Sequence, residues 1–373
     1  MKNPFKYGKT VDGAFFADRE KEFKDMASYI RSGQNVFVFS NRRYGKTSLV
    51  KKVVEYLTRK REIIAIYVDL EQVTSSAQFI QIYGEAIGKG LFSWKEKLEK
   101  IAAFFSRIVP VFEITKEGGV RITFDFSKTK DKVEYALNEV YELPQQIAVK
   151  YKKRVAVVFD EFQEIEKLGG IEFEKKLRSF IQHHSEVCYI FMGSKTRVLI
   201  QMFNDPRRAF YKSAATYPLG PVPEREMISF IIERFSSTGK KISKEIAKEI
   251  IDQSRNIPYY VQMYSWHIWN LAVSEVKQSD GAKALQELLN SQNELFFNWY
   301  DSMSMHQRAL LRALSQTDEI FSQDALIKHD LGTASSVQAS VRKLLLKGLI
   351  VKEEKKYRIT DPFFEIWLRQ DEQ

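Results

Sequence analysis

Four short apolar runs recur between residues 36 and 193 of this chain: Val36-Phe37-Val38-Phe39, Ile63 to Asp69, Arg154 to Asp160, and Cys188 to Gly193. A continuous apolar run of this length marks a strand buried on both faces. Helical periodicity separates the runs. Phe23, Met26, Ala27 and Ile30 share one helix face, and further helices are expected at Thr47 to about Lys60, about Ser76–Gly88, about Thr129–Tyr151 and about Gly170–Ser185. Buried strands alternating with helices predict parallel βαβ units and an α/β class. Residues 111–126 differ. They alternate in period two around Glu117-Gly118-Gly119, which predicts a β-hairpin inserted between core elements.

Beyond residue 193 the chain carries no such runs. Residues from about 221 read as helical, with Pro258 among them. Residues 299–373 predict three helices (Met305–Leu314, Gln323–Lys328, Ser336–Leu346) and two strands, Leu349-Ile350-Val351 and Tyr357-Arg358-Ile359. Three helices and a two-stranded wing make a winged helix, a helix-turn-helix variant. The expected domains are 1–220, a core with the hairpin insertion; 221–298, a helical lid; and 299–373, the winged helix.

The segment after the first run carries the chemistry. Ser40-Asn41-Arg42-Arg43-Tyr44-Gly45-Lys46-Thr47 matches the phosphate-binding loop G-x-x-x-x-G-K-[ST] at every fixed position but the first, where Ser40 replaces Gly. A buried strand precedes it and a helix follows, so backbone N–H groups can curl around a phosphate at a helix N-terminus. The fold expected is therefore a P-loop NTPase core. In it Arg42, Arg43, Tyr44, Gly45, Lys46, Thr47 and Ser48 hold the nucleotide, Lys46 reaches the terminal phosphates, and Thr47 ligates Mg²⁺. Ser40 must find an allowed conformation where Gly is usual, and it is expected to weaken binding without abolishing it.

A second motif supports the first. The run ending in Asp160-Glu161 places two acids at a strand's C-terminal tip, where ligands of open parallel sheets bind. Asp160 is the expected Mg²⁺ residue, and Glu161 the general base for the attacking water. Ser194, at the end of the next run, is a candidate to sense the γ-phosphate; a plain polar loop start fits it equally. Arg207, in Asp205-Pro206-Arg207-Arg208, is a candidate arginine finger for a neighbouring subunit in a homo-oligomer, against the plainer reading of a solvated arginine. His183-His184 lack spaced metal-ligating partners and read as a surface pair.

Charge and cysteine content narrow the classes. Net charge is +10, but residues 1–60 hold 14 Lys/Arg against 6 Asp/Glu, while residues 301–373 hold 11 of each. The basic excess therefore surrounds the phosphate loop, where a polyphosphate ligand accounts for it, and the winged helix is neutral. One cysteine, Cys188, excludes a disulfide framework and a cysteine zinc site. It sits in an apolar run and reads as a buried strand residue. No run nears the roughly 20 residues of a membrane span, and no signal-peptide-like stretch follows Met1-Lys2-Asn3-Pro4-Phe5. A cytoplasmic protein without membrane contact is expected.

Together these residues resemble the archaeal-type ATPases of the AAA+/STAND group of P-loop NTPases that carry a C-terminal winged helix. The resemblance rests on Phe16-Ala17-Asp18-Arg19-Glu20, Arg42 to Ser48, Asp160-Glu161-Phe162-Gln163, Gly193-Ser194, Asn256-Ile257-Pro258-Tyr259-Tyr260 and Asp361-Pro362-Phe363-Phe364-Glu365-Ile366-Trp367-Leu368-Arg369. It covers nearly the whole chain. It implies an ATPase with ATP or ADP and Mg²⁺ bound, Phe16 and Arg19 beside the adenine, and Pro258 facing the base from the lid. ATP closing the lid would make a conformational switch. The alternative is a DNA-binding regulator whose nucleotide is mainly structural, with Ser336–Leu346 as recognition helix. The winged helix is open to DNA or to a protein partner.

Overall fold

The computed structural model describes residues 2–8, 19–94, 98–105, 111–114, 120–123, 130–194, 196–353 and 355–370. The chain divides into two compact units, Thr10–Gly220, and Met1–Lys9 with Pro221–Gln373.

In the first unit the elements run α1 (Glu20–Ser32), β1 (Val36–Phe39), α2 (Lys46–Arg59), β2 (Ile63–Asp69), α3 (Ser76–Ser93), α4 (Leu98–Phe104), β3 (Val111–Ile114), β4 (Val120–Thr123), α5 (Lys130–Tyr151), β5 (Arg154–Asp160), α6 (Ile171–Ile181), β6 (Val187–Gly193), α7 (Thr196–Asn204) and β7 (Ala215–Pro218). Five strands form one sheet in the order β2-β5-β6-β1-β7, and every pair in it is parallel. Successive strand residues point to opposite faces, and both faces are covered. Val36, Val38, Ala156, Val158 and Ile190 meet Met26 and Ile30 of α1 and Leu49, Val53 and Leu57 of α2. Phe37, Ile66, Val157, Phe159 and Phe191 meet Phe79 and Tyr83 of α3, Tyr141 of α5, Leu177 of α6 and Phe203 of α7. This double burial is why the strands read as continuous apolar runs. Cys188 is one of these buried strand residues, and burial pushes its thiol up to about 12.

β3 and β4 pair antiparallel in their own two-stranded sheet, as residues 111–126 predict; the turn between them lies outside the described residues. His184 corrects the expected surface pair. It is buried, with Nδ1 2.7 Å from the Tyr189 hydroxyl.

The second unit contains α8 (Glu224–Ser236), α9 (Lys244–Gln253), α10 (Pro258–Leu271), α11 (Gln278–Asp301), α12 (Met305–Gln316), α13 (Gln323–Lys328), α14 (Ala334–Leu346), β8 (Ile350–Glu353), β9 (Lys356–Ile359) and α15 (Pro362–Gln370). β8 and β9 are the antiparallel wing. The Asp-Pro-Phe-Phe block is the start of α15. Asp361 Oδ1 accepts from the N–H groups of Phe363 (2.9 Å) and Phe364 (3.2 Å), and Pro362 takes the first helical position. Phe363 then packs on Tyr260 and Tyr264 of α10, and Phe364 on Phe296 and Trp299 of α11.

The first residues of the chain belong to this second unit rather than to the core assigned as 1–220. Phe5 is 1% exposed, its ring 5.1 Å from Phe235 and 6.4 Å from Phe230 of α8. Asn3 Nδ2 donates to the Trp266 carbonyl at 3.1 Å. Among the described residues no helix is long and apolar enough to cross a membrane.

Candidate functional site

The sheet order sets the site. β6 lies between β1 and β5, so the loop after β1, the end of β6 and the tip of β5 share one edge. Phe39 pairs with Gly193 at that edge, and Asp69 with Asp160.

The loop from Ser40 to Gly45 is shaped for an anion. Arg43 (φ 71°) and Gly45 (φ 83°) are left-handed on either side of Tyr44, whose φ is negative. Such alternation turns successive N–H groups inward as a nest. Gly45 is the N-cap of α2 and has no side chain to satisfy the first-turn N–H groups, which face the loop. Lys46 and Ser48 are buried at that turn, and Arg42 and Arg43 are exposed. Ser40 is not strained. It is absent from the positive-φ residues, it is buried, and its hydroxyl donates to the Asn41 carbonyl at 3.1 Å. The loop therefore does not need Gly at this position for its backbone.

Arg19, expected beside a nucleotide base, is 2% exposed. Its guanidinium donates to the Tyr44 carbonyl at 3.0 Å and the Gly220 carbonyl at 2.8 Å, and pairs with Glu22 at 3.0 Å. This ties the phosphate loop to the chain just past β7, a positioning contact. Phe16 lies outside the described residues. Pro258 is the first residue of α10, behind a turn in which Arg255 and Asn256 are left-handed. Asn256 donates to the Val222 carbonyl at 2.7 Å.

Thr47 and Asp160 meet. The Thr47 hydroxyl donates to Asp160 Oδ2 at 3.0 Å, and Tyr67 on β2 donates its hydroxyl to the same oxygen. Burial first, then the Asp160 charge, pushes the Tyr67 hydroxyl well above its usual range, so it stays a neutral donor. A hydroxyl and a carboxylate side by side suit Mg²⁺, which takes hard oxygen ligands, one or two from the protein, and keeps several waters. Among the described residues there is no group of three or more His, Cys, Asp or Glu that could hold a metal alone.

Glu161 sits one residue beyond in left-handed backbone, φ 50°, ψ 45°. That conformation costs a non-Gly residue about 1–2 kcal/mol. It persists because Phe162, next in sequence, is locked in the core 4.6 Å from Phe191 and 5.1 Å from Phe210. The turn sends the Glu161 carboxylate across to β6. Its Oε2 accepts from the Ser194 N–H (3.2 Å), the Ser194 hydroxyl (3.1 Å) and Gln163 Nε2 (2.6 Å). Arg42 Nε reaches the Ser194 hydroxyl at 3.4 Å. Loop, Ser194 and Glu161 are thus linked.

The two adjacent arginines differ. Arg207 is 84% exposed and forks onto Asp205 (3.0 and 2.7 Å), whose carboxyl it lowers to about 2. Arg208 is nearly buried on Glu174 and Glu166 and is structural. Tyr67 and Gln163 are the contacts that sequence reasoning missed. Gln163 was marked only within a motif, and Tyr67 is one aromatic in an apolar strand.

A parallel sheet whose first strand feeds a glycine-capped phosphate loop, with Asp-Glu at the tip of β5, defines a P-loop nucleotide-binding fold. The model of the ATPase domain predominantly from Archaea matches residues 16–267, and that of a probable winged helix domain matches residues 294–370. The chain belongs to this archaeal ATPase family and carries the winged helix at its C-terminal side. An uncharacterized ATP-binding protein of Methanocaldococcus jannaschii is 23% identical over 195 residues, 50% of this chain and 46% of the relative. A second such protein from that organism is 24% identical over 160 residues, 41% of this chain and 39% of the relative. The chain thus matches less than half the length of these curated relatives. Among solved structures, a Walker-type ATPase of Pyrococcus abyssi superposes with TM-score 0.67 at 16% identity, covering 98% of this chain and 99% of that one. The Aeropyrum pernix ORC2 protein in its ADPNP–ADP complexes gives TM-score 0.58 at 13% identity, covering 99% of each. These likenesses show the fold.

Proposed function

We propose that this chain binds ATP with Mg²⁺ and hydrolyses it, using the cycle as a conformational switch. The meeting of Thr47 with Asp160, beside Glu161 and at the mouth of the Gly45 loop, carries the proposal. Nests, helix N-termini and buried lysines recur separately; here they converge on one sheet edge. The loop N–H groups and Lys46 take the β- and γ-phosphates, and Ser48 closes the first turn of α2. Thr47 and Asp160 hold Mg²⁺, which when bound neutralises phosphate charge. Glu161 accepts the proton of the attacking water, with Ser194 beside it. Arg42, Arg43 and Tyr44 line the loop. Phe16 and Pro258 enter on the family resemblance alone, as residues near the base. Arg19 enters as the residue that holds the loop's backbone.

Two variants test this. Lys46→Ala should lose ATP binding in a calorimetric titration. Glu161→Gln should keep binding and lose turnover; hydrolysis at the wild-type rate by that variant would remove Glu161 as the base.

A second reading rests on α14. Its inward residues are Val337, Val341 and Leu344, while Ser335, Gln338, Arg342 and Lys343 are exposed. These side chains suit contact with nucleic acid, which would make the chain a DNA-binding regulator with slow hydrolysis. Salt-dependent DNA binding that falls when Arg342 and Lys343 are both changed to Ala supports it. Binding that is indifferent to both changes assigns the winged helix to a protein partner. We place the protein in the cytoplasm, with Arg207 as the finger if it assembles with itself.

A further inference from the structure

The least expected feature of the site is Gln163. It is 4% exposed, in the 3₁₀ helix Phe162–Leu168 that follows β5. Its Nε2 donates to Glu161 Oε2 at 2.6 Å and to Glu164 Oε1 at 3.3 Å. The amide cannot be turned over, because its oxygen would then face two carboxylate acceptors. Its Oε1 is buried without a hydrogen-bond partner, a cost of about 1–3 kcal/mol in general. The amide fits only because residue 193 is glycine: a Cβ there would stand 2.0 Å from Gln163 Oε1. An unpartnered acceptor, a residue without a Cβ and a strained glutamate backbone all serve one contact.

We propose that Gln163 is the positioning residue for the Glu161 carboxylate. Seated over Gly193, its amide presses Oε2 against Ser194 and leaves Oε1 as the oxygen that takes the proton from water. The proposal rests on Glu161 being the base and adds what aims it. Gln163 is buried and its donor is spent on the Glu161 and Glu164 carboxylates. It acts through Glu161, so its effect should vanish when Glu161 is disabled.

The experiment is a double-mutant cycle on steady-state ATP hydrolysis, with ATP affinity measured alongside. Gln163→Met keeps the length and volume and removes the donor. Its kcat should fall by about 10- to 100-fold, the range that small misplacements of catalytic groups cause, while ATP affinity stays within about twofold. In the Glu161→Gln background the same change should do nothing further. Gly193→Ala, whose Cβ would press on the amide and also stand 2.6 Å from Leu199 Cδ1, should reproduce the loss of kcat, and Gln163→Leu, which likewise removes the donor, decides the matter if Gln163→Met does not fold. A Gln163→Met kcat at or above wild type overturns the proposal, as does an undiminished further loss in the Glu161→Gln background. Wild-type turnover by Glu161→Gln alone removes the base itself, and the proposal with it. Dead Glu161→Gln with unaffected Gln163→Met removes only Gln163.

Discussion

Gly45→Ala separates what the loop needs to fold from what it needs to bind. Gly45 has φ 83° and ψ 18° at the N-cap of α2, and nothing lies within 4 Å of where its Cβ would stand. With no collision, the cost to the folded protein is backbone strain alone, about 1–2 kcal/mol for an L-residue in the left-handed region. For a unit of this size each kcal/mol lowers the melting temperature by about 2–4 °C, so a fall of about 2–8 °C is expected without nucleotide. Binding should suffer more. If the space before Gly45 takes a phosphate, as proposed, a methyl group there should weaken ATP by at least tenfold, about 1.4 kcal/mol. Thermal melts without nucleotide and calorimetric titration with ATP and Mg²⁺ measure the two effects independently. Wild-type affinity for ATP in the variant would refute the assignment of this space to phosphate. A fall far beyond 8 °C without nucleotide would mean that the methyl group meets protein, and that the loop geometry is wrong.

Tyr67→Phe removes one donor from Asp160. The Mg²⁺ concentration for half-maximal turnover should rise about tenfold, as for other residues that orient a metal ligand; an unchanged Mg²⁺ titration would reduce Tyr67 to packing. Burial, with His183 beside it, lowers the His184 imidazole to about 4, below the ordinary 6.5 or so of an unfolded chain. Between those values the unfolded chain holds the proton and the folded one does not. Stability therefore drops as pH falls below about 6.5, by about 2 kcal/mol at pH 5. Urea unfolding at pH 7 and pH 5 checks this, and His184→Asn should lose correspondingly less. Arg208→Ala strands Glu174, which is fully buried, and should cost about 3–5 kcal/mol in unfolding experiments. Arg207→Ala should stay within about 0.5 kcal/mol.

What could be read in the sequence follows from how completely each element is buried. β1, β2, β5 and β6 are apolar throughout because helices cover both faces, so their order and limits show directly. β7 was not visible. Its four residues are half-buried and exposed by turns, and it ends on Pro218, as suits a strand at the sheet edge. α15 carried a readable start signal in Asp361-Pro362, but the aromatic cluster that follows has no clear helical period. In the candidate site, the meeting of Gly45-Lys46-Thr47 with Asp160-Glu161 was legible because a phosphate and a metal would demand fixed residue types at fixed spacing. Tyr67 and Gln163 were not, because their roles depend on neighbouring strands that only the fold brings together. Arg19 was expected beside the base on the family resemblance, and a single sequence could not show that its guanidinium is spent on the Tyr44 and Gly220 carbonyls.

The seating of Phe5 bears on how the molecule can be cut. The unit that carries α8 to α15 draws on residues 1–9 as well as 221–373, so it is discontinuous in sequence, with the whole P-loop unit inserted between. A fragment of 221–373 would leave a ring-sized hole beside Phe230 and Phe235, and a fragment of 1–220 would carry Phe5 as an exposed apolar end. Separating the two units cleanly therefore takes a rearranged chain, with residues 1–8 grafted onto the far terminus, rather than a single cut at residue 220.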